Sequence, residues 1–197
     1  PRHFRGDYED PWAHLGVQSS RKKKVYAVSW KWPPSNYVKL NTNASVSQNR
    51  AYGGGLLHDL EGCLIFAFYK EFGEMDVLRE ESLSLLHGLR LCKEVTKGSL
   101  LVKVDSECLV RMLNAGGVSK WPLCNTLRSI KTLLNALSAS ISHVVREANS
   151  SADKLVGLRL PSKLYYTSYP QLLGIVRASK TLDSREVFYL RWRFVRE

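Results

Sequence analysis

The chain has no apolar run approaching the roughly 18 residues a membrane-spanning helix needs, so no helical span is expected. Its opening residues, PRHFRGDYED, are polar and charged and do not read as a signal peptide. The first residue is Pro1, so the chain reads as a piece of something longer. Cysteine is sparse: Cys63, Cys92, Cys108 and Cys124 never form a C-x-x-C pair, which removes a zinc knuckle. Each falls in an apolar stretch, where a thiol behaves as a small hydrophobe. Reduced, structural cysteines are therefore expected, as in an intracellular setting, nuclear or cytoplasmic. Acidic groups are also short, 18 against 29 Lys and Arg, a net charge of +11. That balance disfavours a cationic partner and favours a polyanion, most simply nucleic acid.

The excess is unevenly placed. Residues 1–36 hold 7 basic and 3 acidic groups, residues 37–159 hold 15 and 12, and residues 160–197 hold 7 and 3. The middle is near balance and the flanks are basic. A chain of 197 residues supports one good core with an appendage. The division expected is a basic leader or linker at 1–30, a core domain at 31–159 and a C-terminal appendage at 160–197. Residues 1–24, ending in Arg21-Lys22-Lys23-Lys24, read as a flexible leader.

Residues 37–46, YVKLNTNASV, alternate with period two, with Val38, Leu40, Thr42 and Ala44 on one side. Residues 53–58 make a glycine-rich strand, 59–62 a turn, and 63–72 a third strand. Two short connections give an antiparallel meander. From Arg79 the period becomes helical, through Leu83, Leu86 and Cys92 to about Val95. Gly88 inside that helix costs about 1 kcal/mol relative to Ala, and close approach of a neighbour is its expected return. Residues 99–104 form a fourth strand. Helices over about 107–113 and 125–137 follow, with Asn114-Ala115-Gly116-Gly117 ending the first. Residues 138–145 form a fifth strand and 149–158 the last core helix. Strand-helix-strand steps with both sheet faces covered make this an α/β plan. In the tail, Leu190-Arg191-Trp192-Arg193-Phe194 alternates apolar with basic and reads as an edge strand. Packing plus solvation is favoured there over a nucleic acid contact.

Three carboxylates stand at element ends: Glu81 at a helix start, Asp105 after the fourth strand and Asp153 in the last helix. Each has a plain structural use as well. Glu81 suits a helix N-terminus, Asp105 or Ser106 can cap a helix, Asn149 can cap the next, and Asp153 can be solvated. If the first and fourth strands are parallel neighbours, the carboxylates converge near Asn43. Clustered carboxylates repel, and divalent cations with oxygen ligands relieve that repulsion. Two such ions about 4 Å apart activate water and steady a leaving oxygen in phosphodiester cleavage.

Several segments together resemble ribonuclease H type 1-like domains, of the kind abundant in plants and found at the end of non-LTR retrotransposon reverse transcriptases. They are Trp32-Pro33-Pro34, Lys39-Leu40-Asn41-Thr42-Asn43, Gly53-Gly54-Gly55, Glu81-x-x-Ser84-x-x-x-Gly88-Leu89, Asp105-Ser106, Trp121, and His143-Val144-Val145-Arg146-Glu147-Ala148-Asn149-x-x-Ala152-Asp153. The resemblance implies a ribonuclease H-like fold: a five-stranded mixed sheet in order 3-2-1-4-5, flanked by helices, here with basic terminal extensions. It implies a metal-dependent endonuclease that cuts the RNA strand of RNA/DNA hybrids with two Mg2+ ions. By position, the catalytic and metal-binding set falls on Asn43, Glu81, Asp105 and Asp153. Arg146 matches a basic residue near the last carboxylate. The implied nucleic acid contacts are Ser45, Gly53, Gly54, Gly55, Arg146 and Asn149. Partners implied are an RNA/DNA hybrid or double-stranded RNA, with an upstream reverse transcriptase domain in the full chain and a monomeric state.

The chain departs from that pattern at three places. The family's first Asp is Asn43, the glycine usual after it is Ala44, and the acidic residue usual two before the second Asp is Lys103. Impaired catalysis or a new role is the expectation. Three readings stay open: a hybrid ribonuclease weakened at Asn43, a catalytically inactive module binding hybrid or double-stranded RNA, and a non-catalytic transposon-derived interaction domain.

Overall fold

The computed structural model describes residues 21–96, 98–115, 122–159 and 163–196. Its first element is β1 (Arg21–Val28), so residues 21–24, assigned to a flexible leader on sequence, belong to a strand. The leader residues 1–20, Trp121 and the Gly116-Gly117 pair lie outside the described residues. The meander follows as β2 (Tyr37–Ser47), β3 (Arg50–His58) and β4 (Leu64–Gly73). Next come α1 (Val77–Val95), β5 (Ser99–Val104), α2 (Glu107–Asn114), α3 (Leu123–Ala136) and β6 (Ser140–His143). A 3-10 turn over Arg146–Asn149 leads into α4 (Ser150–Val156). The tail supplies β7 (Leu164–Tyr166), α5 (Gly174–Ser184) and β8 (Tyr189–Arg196).

The main sheet has the order β6-β5-β2-β3-β4-β7. Its first five strands carry the expected 3-2-1-4-5 arrangement, with β2 pairing antiparallel to β3 and parallel to β5. The sixth strand was not expected. It is β7, a three-residue antiparallel addition to β4 from the C-terminal stretch. The described residues 21–27 and 190–196 belong to a separate unit from residues 28–189, and β1 and β8 pair as a two-stranded sheet.

Local rules explain the joints. The β2–β3 hairpin turns on Gln48 and Asn49, both at positive φ (49° and 59°), as a two-residue turn between right-twisted strands requires. On one sheet face, Leu85, Leu89 and Cys92 of α1 pack with Leu40, Phe66, Phe68 and Val102 in the larger core cluster. Gly88 is where α1 comes closest to the sheet: a Cβ there would lie 3.1 Å from Phe68 Cε1 and 3.2 Å from Leu40 Cδ2. On the other face, Ala152, Leu155 and Val156 of α4 and Val176 of α5 cover Leu56, Ala67 and Tyr69.

The polar side of β2 is buried as well. Lys39, Asn41 and Asn43 are all at most 3% exposed. The Lys39 ammonium sits 4.0 Å from the Trp30 ring centroid and donates to the Lys31 carbonyl. Burial, helped by the nearby Lys103 charge, lowers its pKa to about 7. Of the four cysteines, all free, Cys92 is buried as expected for a structural thiol, but Cys63 and Cys108 are exposed. Their apolar neighbours in sequence face the core while they do not.

Candidate functional site

Parallel pairing of β2 with β5 places Thr42 opposite Val104. The next residue of each segment, Asn43 and Asp105, therefore reaches the same edge of the sheet. The ladder between β5 and β6 extends one step further, with the Val144 N–H donating to the Val104 carbonyl at 2.8 Å. That step carries Arg146 to the same edge. Ser106 caps α2, its Oγ accepting from the Leu109 N–H at 3.3 Å, which leaves Asp105 free of the capping role. Asp76 caps α1, accepting from the Arg79 N–H at 2.9 Å, and so sets Glu80 and Glu81 inside the first turns. One turn later, Ser84 Oγ donates to the Asn43 carbonyl at 2.9 Å and ties α1 to β2 beside the site.

The expected residues meet as one chain of contacts. Asn43 Nδ2 donates to Asp153 Oδ1 at 3.1 Å. Arg146 Nε lies 3.4 Å from Asp153 Oδ1 and 3.7 Å from Asp105 Oδ2. The Glu81 carboxyl in turn is a hydrogen-bonding neighbour of Asp105. Asp153 is neither free nor merely solvated; it is the acceptor that joins Asn43 to Arg146. The Arg146 side chain is 67% exposed, so its ion pairs are screened by water and contribute little to stability.

Burial dominates the electrostatics. Glu81 is 6% exposed, and its pKa is pushed up to about 9, first by loss of solvent, then by the Asp105 and Glu80 charges. At neutral pH it carries a proton and can donate to the Asp105 carboxylate. Asp105 is also raised by burial, with the Arg146 charge working against the rise. Glu80 is fully buried and held up at about 7 by desolvation, opposed by two backbone donors. Its Oε1 accepts from the N–H groups of Ser45 at 2.6 Å and Tyr52 at 2.8 Å, which pins the hairpin beyond Asn43.

A divalent cation suits these donors. Asn43 Oδ1, Glu81 Oε2 and Asp105 Oδ1 are buried oxygens without a hydrogen-bond partner. Hard oxygen atoms that lack a donor, one on an amide and two on carboxyls raised first by burial, form the kind of set such an ion completes. Asp153 differs, because Asn43 and Arg146 already engage its Oδ1. Among the described residues, the group whose ligand atoms all lie within 4.8 Å is a different one, half-buried Asp59 with exposed Glu61 and Cys63. In that group Asp59 Oδ1 accepts from the Glu61 and Cys63 N–H groups and shapes the β3–β4 turn.

The remaining expected contacts separate into surface and interior. Ser45 is half-buried at the edge, and Arg146 is exposed. Gly53, Gly54 and Gly55 are buried, and the space a side chain would take is already filled. A Cβ on Gly53 would lie 2.5 Å from Phe72 Cε2, and one on Gly55 would lie 2.7 Å from the Asn41 carbonyl oxygen. The structure thus gives them a packing role. Asn149 is 1% exposed and makes no side-chain cap to α4. Its Oδ1 accepts from Asn41 Nδ2 at 2.8 Å and its Nδ2 donates to the Thr42 carbonyl at 2.9 Å. It is the tether between β2 and the segment that presents Arg146 and Asp153. Sequence reasoning missed that tether and the clamp made by Glu80. The Glu80-Glu81 doublet was the available signal for the second.

This arrangement, with one carboxylate from α1, one just after β5 and one from α4, beside an amide on the parallel neighbour β2, defines a ribonuclease H-like domain. Residues 41–158 match the family model described as reverse transcriptase-like, and the chain belongs to that family. Among solved structures, the chain is similar to RNase H1 from the archaeon Halobacterium salinarum, at 21% identity and TM-score 0.57, covering 61% of this chain and 95% of that one. It is also similar to LC11-RNase H1 in complex with RNA/DNA hybrid, a compost metagenome protein, at 22% identity and TM-score 0.55, covering 61% and 94%. A third is the N-terminal RNase H domain of a Mycobacterium tuberculosis protein, at 19% identity and TM-score 0.57, covering 62% and 92%. At these identities the likeness is one of fold. No curated protein matches the chain significantly.

Proposed function

We propose that this chain binds RNA/DNA hybrid or double-stranded RNA across the carboxylate edge, and that cleavage of the RNA strand is impaired at Asn43. The carrying observation is the Asn43 Nδ2 to Asp153 Oδ1 hydrogen bond. An Asp at this position could not donate it. The amide supplies a neutral oxygen where a carboxylate would supply charge, and it engages Asp153 through the other atom. Bound Mg2+ would contribute Lewis-acid stabilisation of the phosphoryl oxygens and an activated water. Asn43, Glu81 and Asp105 are the residues that would hold it, with Glu81 giving up its proton. Arg146, exposed beside them, is placed to contact a phosphate through charge-assisted hydrogen bonds. The basic excess adds a sequence-independent grip. By resemblance, the setting is a retrotransposon-type chain of plant kind with a reverse transcriptase domain upstream.

The reading without catalysis gains from the same geometry, since Asn43 and Arg146 both engage Asp153 Oδ1. Binding tests what the two readings share. Fluorescence anisotropy with labelled hybrid, double-stranded RNA and DNA duplex of equal length, across a salt series with Mg2+ or EDTA, gives the comparison. Hybrid and RNA duplex should bind more tightly than DNA, through 2′-hydroxyl contacts and A-like shape. Affinity should fall linearly in log-log form with salt. A chain that binds none of the three would sink the proposal, as would one that prefers the DNA duplex.

A further inference from the structure

We propose that three cations on the α1 face of the sheet, Lys70, Arg90 and Lys163, grip the backbone of a bound duplex several base pairs beyond the carboxylate edge. This longer footprint rests on the duplex-binding reading. The β4–β7 ladder pairs Phe68 with Tyr165 and Tyr69 with Leu164. The next residue on each side is a lysine, Lys70 on β4 and Lys163 just before β7. Above them, α1 lays the ring of His87 edge-on against Phe68, 5.1 Å between centroids. Arg90 follows three residues later, on the same side of the helix.

His87 reports the local charge. Burial, then the charges of Lys70, Lys163 and Arg90, lower its pKa to about 4. All three of those charges are positive, and the His87 Nε2 is buried without a hydrogen-bond partner. Arg50, Arg111 and Arg146 each find a carboxylate, but Lys70, Arg90 and Lys163 make no ion pair among the described residues. Lys70 Nζ lies 5.3 Å from the Phe72 ring centroid, a contact that leaves its charge uncancelled. Like charges on neighbouring strands repel, so the cluster adds nothing to folding stability. A polyanion from outside relieves that repulsion.

The register selects the anion. Ala44, next to Asn43, pairs with Gly53, and Gly53 pairs with Lys70. Lys70 therefore stands level with the carboxylate edge, two strands or about 10 Å across the sheet, and Lys163 is one strand further. At about 3.4 Å per base pair, that span is roughly three to four base pairs. A duplex lying along this end of the sheet presents phosphates to the cluster while it covers Asn43 and Arg146. Lys163 and β7 lie beyond residues 41–158, the segment matched to the family, so this grip is an addition of the present chain.

The test uses the whole chain and a labelled RNA/DNA hybrid of about 16 base pairs, read by anisotropy across a salt series with Mg2+ or EDTA. Lys70→Gln, Arg90→Gln and Lys163→Gln combined should weaken binding at least about tenfold and flatten the log-log salt slope by about 2 to 3. Lys163→Gln alone should flatten it by about 0.9, and Lys163→Arg should keep the wild-type slope. In NMR spectra the His87 ring signals should move when hybrid is added to the wild type and stay in place in the triple variant. Thermal midpoints should hold or rise, because each change to Gln relieves repulsion. Wild-type affinity and slope in the triple variant would overturn the proposal, as would His87 signals that stay still while hybrid binds. A lowered midpoint would also overturn it, because the cations would then belong to the packing. So would loss of binding to anionic phospholipid vesicles with hybrid affinity unchanged, which would make the cluster a membrane surface. A wild type that binds no duplex would sink the duplex-binding reading and this grip together, so the wild-type measurement tells the two failures apart.

Discussion

Replacing Glu81 with Gln should stabilise the protein at neutral pH and remove most of one pH dependence. Glu81 is 6% exposed and its carboxyl is pushed up to about 9. In the unfolded chain it titrates near the ordinary 4.5. Between those values the folded state holds a proton that the unfolded state has released. Stability is therefore full below about 4.5, falls as pH rises, and the loss is complete above about 9. Linkage gives about 1.4 kcal/mol per pH unit for one proton, so about 3 kcal/mol between about pH 5 and pH 7.5. Charge shared with Asp105 makes about 1–3 kcal/mol the expected range. Gln has the shape of the protonated acid and an N–H to offer Asp105, so Glu81→Gln should keep the contact and lose the titration. Urea unfolding of both proteins at the two pH values reads this directly, with m-values confirming two-state behaviour. The wild type should lose more stability than the variant on going to pH 7.5. Added Mg2+ should raise the wild type and leave the variant little changed, since ions bound to the native state stabilise it. Equal pH dependence in the two proteins would refute the claim that Glu81 is held protonated by burial.

Three further perturbations test the frame around the site. Asn149→Ala removes two buried hydrogen bonds and strands Asn41 Nδ2 and the Thr42 carbonyl, for about 2–4 kcal/mol of stability in chemical denaturation. Loss below about 0.5 kcal/mol would deny it the role of tether. Gly53→Ala forces a Cβ to 2.5 Å from Phe72 and 2.6 Å from Ser84, and should cost about 1–3 kcal/mol or perturb the Ser84 tie to Asn43. An unchanged thermal midpoint would show that the hairpin gives way freely. Replacing Gln48-Asn49 with Asn-Gly relieves two positive φ angles and should raise stability by about 0.5–1 kcal/mol. A drop in midpoint would mean that the turn is not of the two-residue type.

Much of the architecture was legible because periodicity is a local property. The alternation at 37–46, the short turns and the helical spacing after Arg79 gave the meander and α1. Resemblance supplied the strand order, which pairing confirms. The sixth strand was invisible because three residues, Leu164, Tyr165 and Tyr166, carry too little pattern to call a strand. Burial of Lys39 and Asn41 was invisible for another reason. The alternation marked their side as polar, and only tertiary structure brings Trp30, α4 and α5 over it. Asn149 and Gly53 to Gly55 were placed by their position in a motif, and the tight packing and buried hydrogen bonds around them became visible only in the tertiary structure. The carboxylates were legible as a set because each stands at an element end. What Asn43 does with its amide depends on Asp153, which only the fold brings beside it.

The central claim is that Asn43 impairs cleavage without impairing binding. Losing one carboxylate charge a few ångströms from divalent ions is worth several kcal/mol even at an effective dielectric near 20, and each 1.36 kcal/mol is tenfold in rate. The most direct measurement is the single-turnover rate on a labelled RNA/DNA hybrid in Mg2+, for the wild type and Asn43→Asp side by side, with hybrid affinity measured on the same samples. The wild type should cleave at least about a hundredfold more slowly than the variant, while the two affinities agree within about twofold. Equal rates would contradict the account, and so would a variant that remains inert in both Mg2+ and Mn2+, because the defect would then lie beyond Asn43.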